Sequence, residues 1–289
     1  MKTRIITSVV AVGLFIPFCV FSATPFWMFL IFAGLVSFFA AYEILKCTGL
    51  EKNLVASLLS YVVAIAAPLL TRVAYSGTER YYLIMSFVYF AFLFLSFVNA
   101  TFSKGKIPVV DACVSTMMTI YVSFSMASIV LLRDLGPNGA IGGKIYLLAF
   151  IFAWIPDIGG YFFGRFFGKR KLIPDVSPKK TVAGFVGGIG SAVVVSVIYG
   201  FVIGLRTGDL SAFAILAILA VICSMVSVCG DLLASLVKRH YGIKDYGFIF
   251  PGHGGVMDRF DSVIAVAPFL YILCYLANSF GWLSSFITL

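Results

Sequence analysis

Charge is what this sequence has least of. Only 11% of its 289 residues are Asp, Glu, Lys or Arg, against 61% that are hydrophobic, and the mean hydropathy is +1.06. That scarcity excludes a soluble fold, which could not cover its surface with so few polar groups. Histidine is nearly absent as well, with only His240 and His253. The six cysteines (Cys19, Cys47, Cys113, Cys223, Cys229 and Cys274) contain no C-x-x-C pair and mostly lie in apolar runs. They read as small buried hydrophobes and are assigned neither metal nor disulfide. No internal repeat or low-complexity segment is evident.

What the chain has instead is apolar runs of about 17 to 25 residues, the length that crosses a hydrocarbon core of roughly 30 Å. Nine spans are predicted, at 5–22, 25–45, 54–70, 81–99, 109–132, 145–164, 182–204, 211–236 and 260–280. The first could instead be a signal peptide, because Lys2 and Arg4 precede a short apolar run ending at Ala23. Pro25 and a new apolar run follow at once, which favours a retained helix. The expected fold is therefore all-α, a polytopic integral membrane protein of about nine transmembrane helices. It reads as a single membrane domain over residues 1–289, with 1–140 as scaffold helices and 141–289 carrying the chemistry.

The net charge of +9 could point to nucleic acid, but in a membrane protein it records topology, since cytoplasmic loops collect Lys and Arg. With the N-terminus inside, 16 of the 21 basic residues fall on the cytoplasmic side. This predicts a cytoplasmic N-terminus, an outside C-terminus and a multi-pass protein of the cell (inner) membrane, with no nucleic-acid partner. The two most basic loops, 165–180 and 238–259, share the cytoplasmic face. Clustered cations there bind anionic lipid head groups, although topology alone would also place them.

Acids separate the two halves of the chain. Glu43, Glu51, Glu79, Asp111 and Asp134 fall at span ends or in loops, whereas Asp157 and Asp231 lie inside apolar runs. A carboxylate in hydrocarbon costs about 2.5–3.5 kcal/mol and is usually turned inward. At 1.5 Å per helical residue, Asp157 should lie about 12 Å and Asp231 about 10 Å beneath the cytoplasmic face. Asp258 and Asp261 open the last span from that same face. A polar cavity open to the cytoplasm follows.

Asp258 and Asp261 are three apart and share a helix face. One of them could simply stabilise a helix N-terminus. Two, with Asp231 nearby, would repel each other unless a cation sat between them. Oxygen-rich ligands without sulfur at a phosphate site point to Mg²⁺. Asp157 is a further candidate ligand, or it solvates a kink at Pro156. Gly254 and Gly255 offer bare amides ahead of a helix, an anion cradle in which His253 is either a phosphate donor or a structural hydrogen bonder. Gly160, Gly164 and Gly168, with Gly184 and Gly188, are small-xxx-small patterns for helix packing. Carboxylates, a divalent ion and many cations in a membrane pocket suggest phosphoryl or nucleotidyl transfer onto a lipid. A phosphate monoester is already largely dianionic at neutral pH, so no Cys-His or Ser-His-Asp arrangement is needed.

The run from Ser235 through Lys238-Arg239, Lys244-Asp245, Gly247, Phe250-Pro251 and His253-Gly254-Gly255 to Asp258-Arg259 and Asp261 resembles the signature of the phosphatidate cytidylyltransferases (CDP-diacylglycerol synthases). A second block, from Pro156-Asp157 through Gly168-Lys169 to Ser177-Pro178-Lys179-Lys180-Thr181, also looks like that family. The resemblance implies transfer of CMP from CTP to phosphatidic acid, giving CDP-diacylglycerol and pyrophosphate with Mg²⁺, in phospholipid biosynthesis. It implies Asp231, Asp258 and Asp261 as metal-holding catalytic residues beside Lys238. Ser177, Lys179, Lys180, Thr181, Arg239, Lys244, His253, Gly254, Gly255 and Arg259 would bind substrates. A second cation is left open, membrane lipids are implied as partners, and a homodimer is admitted. One departure from the family pattern is Ala183, where an acid or amide is usual. Two other readings stay open: a CTP-dependent lipid kinase, which would release CDP, and an ion-coupled transporter, which would also bury aspartates.

Overall fold

Backbone groups inside hydrocarbon have no water to bond, so long apolar stretches satisfy themselves as helices. A computed structural model describes residues 27–71, 78–136, 139–206, 208–250, 254–283 and 286. Its helices are α1 (Trp27–Cys47), α2 (Leu54–Leu70), α3 (Thr78–Phe102), α4 (Val109–Arg133), the single turn α5 (Gly142–Ile145), α6 (Leu148–Phe167), α7 (Val182–Val202), α8 (Leu210–His240) and α9 (Met257–Ser279). Among the described residues, seven helices are long and apolar enough to cross a membrane, with Gly142–Phe167 counted as one; α2 is shorter, at 17 residues. The protein is thus a polytopic all-α membrane protein. The predicted first span, 5–22, lies outside the described residues. On α3 a stripe of Phe87, Phe90 and Phe94 is bare, Phe87 being 70% exposed, as suits a face turned to acyl chains.

The chain gathers into two compact units, residues 1–130 with 240–260 and residues 131–239 with 261–289. In the first unit, α1 packs on α2 and α2 on α3. Asn53 caps α2 by accepting the Ala56 amide at 2.9 Å, and Asn99 Nδ2 donates to the same oxygen at 3.1 Å, so one side chain ties a helix start to α3. The rings of Phe32 and Phe260 meet at 6.1 Å between centroids.

In the second unit, α6 and α7 make the most extensive helix pair among the described residues. Glycine is the reason. A Cβ built at Gly188 would lie 2.5 Å from the Pro156 carbonyl oxygen, and one at Gly184 would lie 2.6 Å from that of Gly160. The backbones therefore touch where the small-xxx-small pattern predicts. Between these helices the chain forms a hairpin that the helical reading of the sequence did not contain. Strand β1 (Lys171–Ile173) pairs antiparallel with β2 (Ser177–Thr181), turning through Pro174-Asp175-Val176. Thr181 ends β2 in extended conformation and caps α7 by accepting the Gly184 amide at 3.1 Å.

Candidate active site

The second unit assembles five of the predicted side chains. Gly230 is the device that brings α8 onto α9: a Cβ there would lie 2.3 Å from Ala265 Cβ and 3.0 Å from the Asp261 carbonyl oxygen. Asp231, the next residue on α8, and Asp261 on α9 consequently stand close enough to interact electrostatically. Asp261 is only 7% exposed, and its Oδ1 accepts the Ser262 amide at 2.7 Å. Lys238, two helical turns on from Asp231 and 8% exposed, and Asp157 of α6 also act on the Asp261 carboxylate. Ser262 Oγ, which lies 3.5 Å from Asp157 Oδ2, links α9 to α6.

Lys180, at the end of the hairpin, completes the group. Its Nζ stands 2.6 Å from Asp231 Oδ2, with the two side chains 21% and 24% exposed. Three carboxylates thus share two ammonium groups, which leaves the cluster acidic by one charge if all five are ionised. Beside it lies a cavity of about 190 Å³ lined by Pro156, Asp157, Tyr161, Lys179, Lys180 and Phe185, among others. The cavity has apolar walls and a charged rim, an arrangement able to take an anionic head group attached to something greasy.

Thr181 is buried, and its Oγ1 is engaged in capping α7 and packed close to Gly164 and Gly168. Lys179 is exposed and Ser177 half-buried on β2. Ala183, the departure from the family pattern, falls in the first turn of α7 beside this cap. Arg239 is exposed at the end of α8.

The first unit holds the rest of the signature. Lys244 and Arg259 are exposed, and His253 lies outside the described residues. Gly254 has a φ of +86°, a left-handed conformation that favours glycine, and bridges back to Phe250. Asp258, in the first turn of α9, accepts the amides of Tyr246 at 2.7 Å and Gly255 at 2.9 Å through one oxygen, Oδ2. The next two amides, Val256 and Met257, donate to Glu43 of α1 at 3.0 and 2.8 Å. Three successive amides, of which the sequence reading offered only that of Gly255 to a phosphate, are therefore held by carboxylates of the chain itself.

Glu43 is the residue that sequence reasoning missed. It was placed with the quiet acids at span ends, yet it is 1% exposed. The available signal was a carboxylate still within an apolar run, two residues from its predicted end. The Lys180–Asp231 pairing joins residues 51 apart and had no local signal.

With this geometry described, comparison with known proteins is specific. The sequence model of the cytidylyltransferase family matches residues 2–277. Curated relatives named phosphatidate cytidylyltransferase include one from Staphylococcus saprophyticus, 33% identical over 273 residues, covering 94% of this chain and 98% of the relative. One from Staphylococcus haemolyticus is 32% identical over 274 residues, with the same coverage. One from Bacillus subtilis is 32% identical over 276 residues, covering 94% of this chain and 97% of its own. The family that the signature resembles and the family that the whole chain matches agree, and the protein belongs to the cytidylyltransferase family, membrane-embedded nucleotidyltransferases.

Proposed function

We propose that this protein transfers CMP from CTP to phosphatidic acid, forming CDP-diacylglycerol and pyrophosphate at the cytoplasmic face of the cell membrane. The observation that carries the reading is the acidic cluster of Asp231, Asp261 and Asp157, held by Lys180 and Lys238 beside a cavity with apolar walls. The name borne by the relatives supplies the two substrates. An oxygen of the phosphatidate phosphate attacks the α-phosphorus of CTP, the bond from that phosphorus to the β-phosphate oxygen breaks, and pyrophosphate leaves.

The residues present suit Mg²⁺ in their chemistry. Asp231, Asp258 and Asp261 are oxygen donors without sulfur. Among the described residues no three acidic, histidine or cysteine side chains converge as a ready metal cage. A magnesium ion commonly takes one or two carboxylates, with waters and substrate phosphates filling its other positions. Asp231, Asp258 and Asp261 would hold it, with Asp157 as a further candidate, and a second cation remains open. Bound there, the ion would offset charge developing on the leaving pyrophosphate.

The chain's own groups do the remaining work. Lys238, buried against Asp261, and Lys180, paired with Asp231, keep two positive charges in a partly dry site, where they act more strongly than in water. Exposed Lys179, Arg239, Lys244 and Arg259 draw in the anionic substrates. Gathering two polyanions in one place is the entropic share of the catalysis. Their position on basic loops supports a cytoplasmic site, with the N-terminus inside and the C-terminus outside.

The test is incubation of purified protein with CTP labelled at the α-phosphate, phosphatidic acid and Mg²⁺, followed by lipid extraction. Label should enter the lipid phase and pyrophosphate should appear, and Asp261→Asn should lower the rate by at least about a hundredfold. Release of CDP, or full activity of Asp261→Asn, would overturn the reading.

A further inference from the structure

We infer that Glu43, on a helix that sequence reads as scaffold, is a positioning residue for the reaction, fixing the loop and helix start that carry Asp258. Four observations converge on it. Its carboxylate is almost wholly buried, at 1% exposed. Its two oxygens accept the Val256 and Met257 amides, residues 213 and 214 positions away in sequence. The adjoining Gly255 amide and the Tyr246 amide, nine residues earlier, go to Asp258 Oδ2. Finally, a Cβ at Gly247 or at Gly255 would lie 2.2 Å from Glu43 Oε1, so the loop approaches the carboxylate at two points where only glycine leaves room.

These contacts form one device. Tyr246 and the stretch from Gly255 to Met257 are tied to two acids, one from α1 and one from the start of α9. An acid is an unfavourable way to fill this space, since a carboxylate loses its hydration on burial and a leucine has none to lose. What the acid provides is direction. Two charge-assisted hydrogen bonds from consecutive amides define where α9 begins and how it is rotated about its axis. Asp258 is in the first turn, so its carboxylate follows that rotation. A displacement of about 1 Å at such a group can cost on the order of a hundredfold in rate.

The inference rests on the proposed part of Asp258 in the site, and the experiment keeps the two apart. Glu43→Gln, Gly247→Ala and Asp258→Asn are made in the full chain. Each is assayed for kcat, for KM with CTP and with phosphatidic acid, and for thermal unfolding in detergent. Glutamine keeps the length but sets an NH₂ against one of the two amides. Alanine at 247 presses on the carboxylate from the loop side without touching its charge.

Both changes should lower kcat per folded molecule by about 10- to 100-fold while KM for phosphatidic acid stays within about twofold. A purely structural role would lower the melting temperature and leave kcat per folded molecule alone, and that result overturns the inference. Should Glu43→Gln not fold, Gly247→Ala reads the same contact. An inactive Asp258→Asn beside unchanged kcat in both other variants defeats the positioning role only. A fully active Asp258→Asn defeats the underlying assignment of Asp258.

Discussion

Replacing Gly188 by alanine adds one methyl group to the protein, and the structure states what that methyl would meet. Its Cβ would sit 2.5 Å from the Pro156 carbonyl oxygen and 3.3 Å from the Pro156 carbonyl carbon and Cα. All three are backbone atoms of α6, so no side chain can swing aside. Relaxed carbon contacts begin near 3.5 Å, and relieving this one moves the helices apart by about 1 Å locally. Overpacking of this kind costs about 1–3 kcal/mol. The displaced backbone belongs to the residue directly before Asp157, so activity should fall further than stability alone explains, by about tenfold to a hundredfold.

Two neighbours supply the controls. At Gly190 a new Cβ meets nothing within 4 Å, so Gly190→Ala should be neutral or slightly stabilising, because alanine is the better helix former. At Gly159 the nearest atoms are Ser191 Oγ, at 2.3 Å, and Ser191 Cβ, at 2.7 Å, and the second is fixed to the α7 backbone. Gly159→Ala should therefore overpack the same helix pair as Gly188→Ala does. Melting temperature in detergent and incorporation of CTP label into lipid, measured on all three, should place Gly190→Ala above both others. Equal melting temperature and equal rate in Gly188→Ala and Gly190→Ala would refute the claim that backbone contact between α6 and α7 sets the site.

Lys180→Met removes the ammonium that stands against Asp231 Oδ2 and should cost about 1–3 kcal/mol, because the carboxylate is left in a partly buried setting. The same change should cut the rate at least about tenfold, and unchanged kinetics would mark Lys180 as a charge of the hairpin only. Tyr241 lies beyond the end of α8 and donates its hydroxyl to Asp111 Oδ1 at 2.8 Å. Burial, followed by the bond to that carboxylate and its charge, pushes the phenol above its ordinary value. Its contribution is therefore complete below the usual tyrosine pKa of about 10 and is lost only as pH climbs through the raised folded value. Tyr241→Phe should accordingly destabilise by about 1 kcal/mol, equally at every neutral pH. A difference that changes between about pH 6 and 9 would contradict that account.

Helices were the most legible part of the sequence, because a run of apolar residues long enough to span hydrocarbon has few other forms to take. Each span predicted from the second onward corresponds to a helix, with the sixth preceded by the short turn at Gly142–Ile145. The glycine spacing at 160, 184 and 188 was equally readable, since small residues at intervals of four need no partner to be recognised. The hairpin was not. Its strands have three and five residues, too few for a period to emerge, and its Lys-rich composition reads as a loop. Only Pro174-Asp175 marked the turn.

In the candidate site, Asp231 and Asp261 could be paired from sequence because each lies at a comparable depth from one face. The partners of Asp258 could not. They are backbone amides, one of them that of Tyr246 twelve residues back, and no local pattern encodes a contact between a side chain and an amide in another element. Gly254 and Gly255 were read as a place for a ligand's phosphate. The amide of Gly255 serves an internal acid equally well, since the physics of the two is the same.

That occupancy bears on how the protein tells one anion from another. A rigid ring of amides measures the shape of what enters it; here three of those amides already hold guests that never leave. Under the proposed function, selection among incoming polyanions would fall to exposed cations such as Lys244, Arg239 and Arg259. A grip that rests on exposed charge would loosen steadily as ionic strength rises.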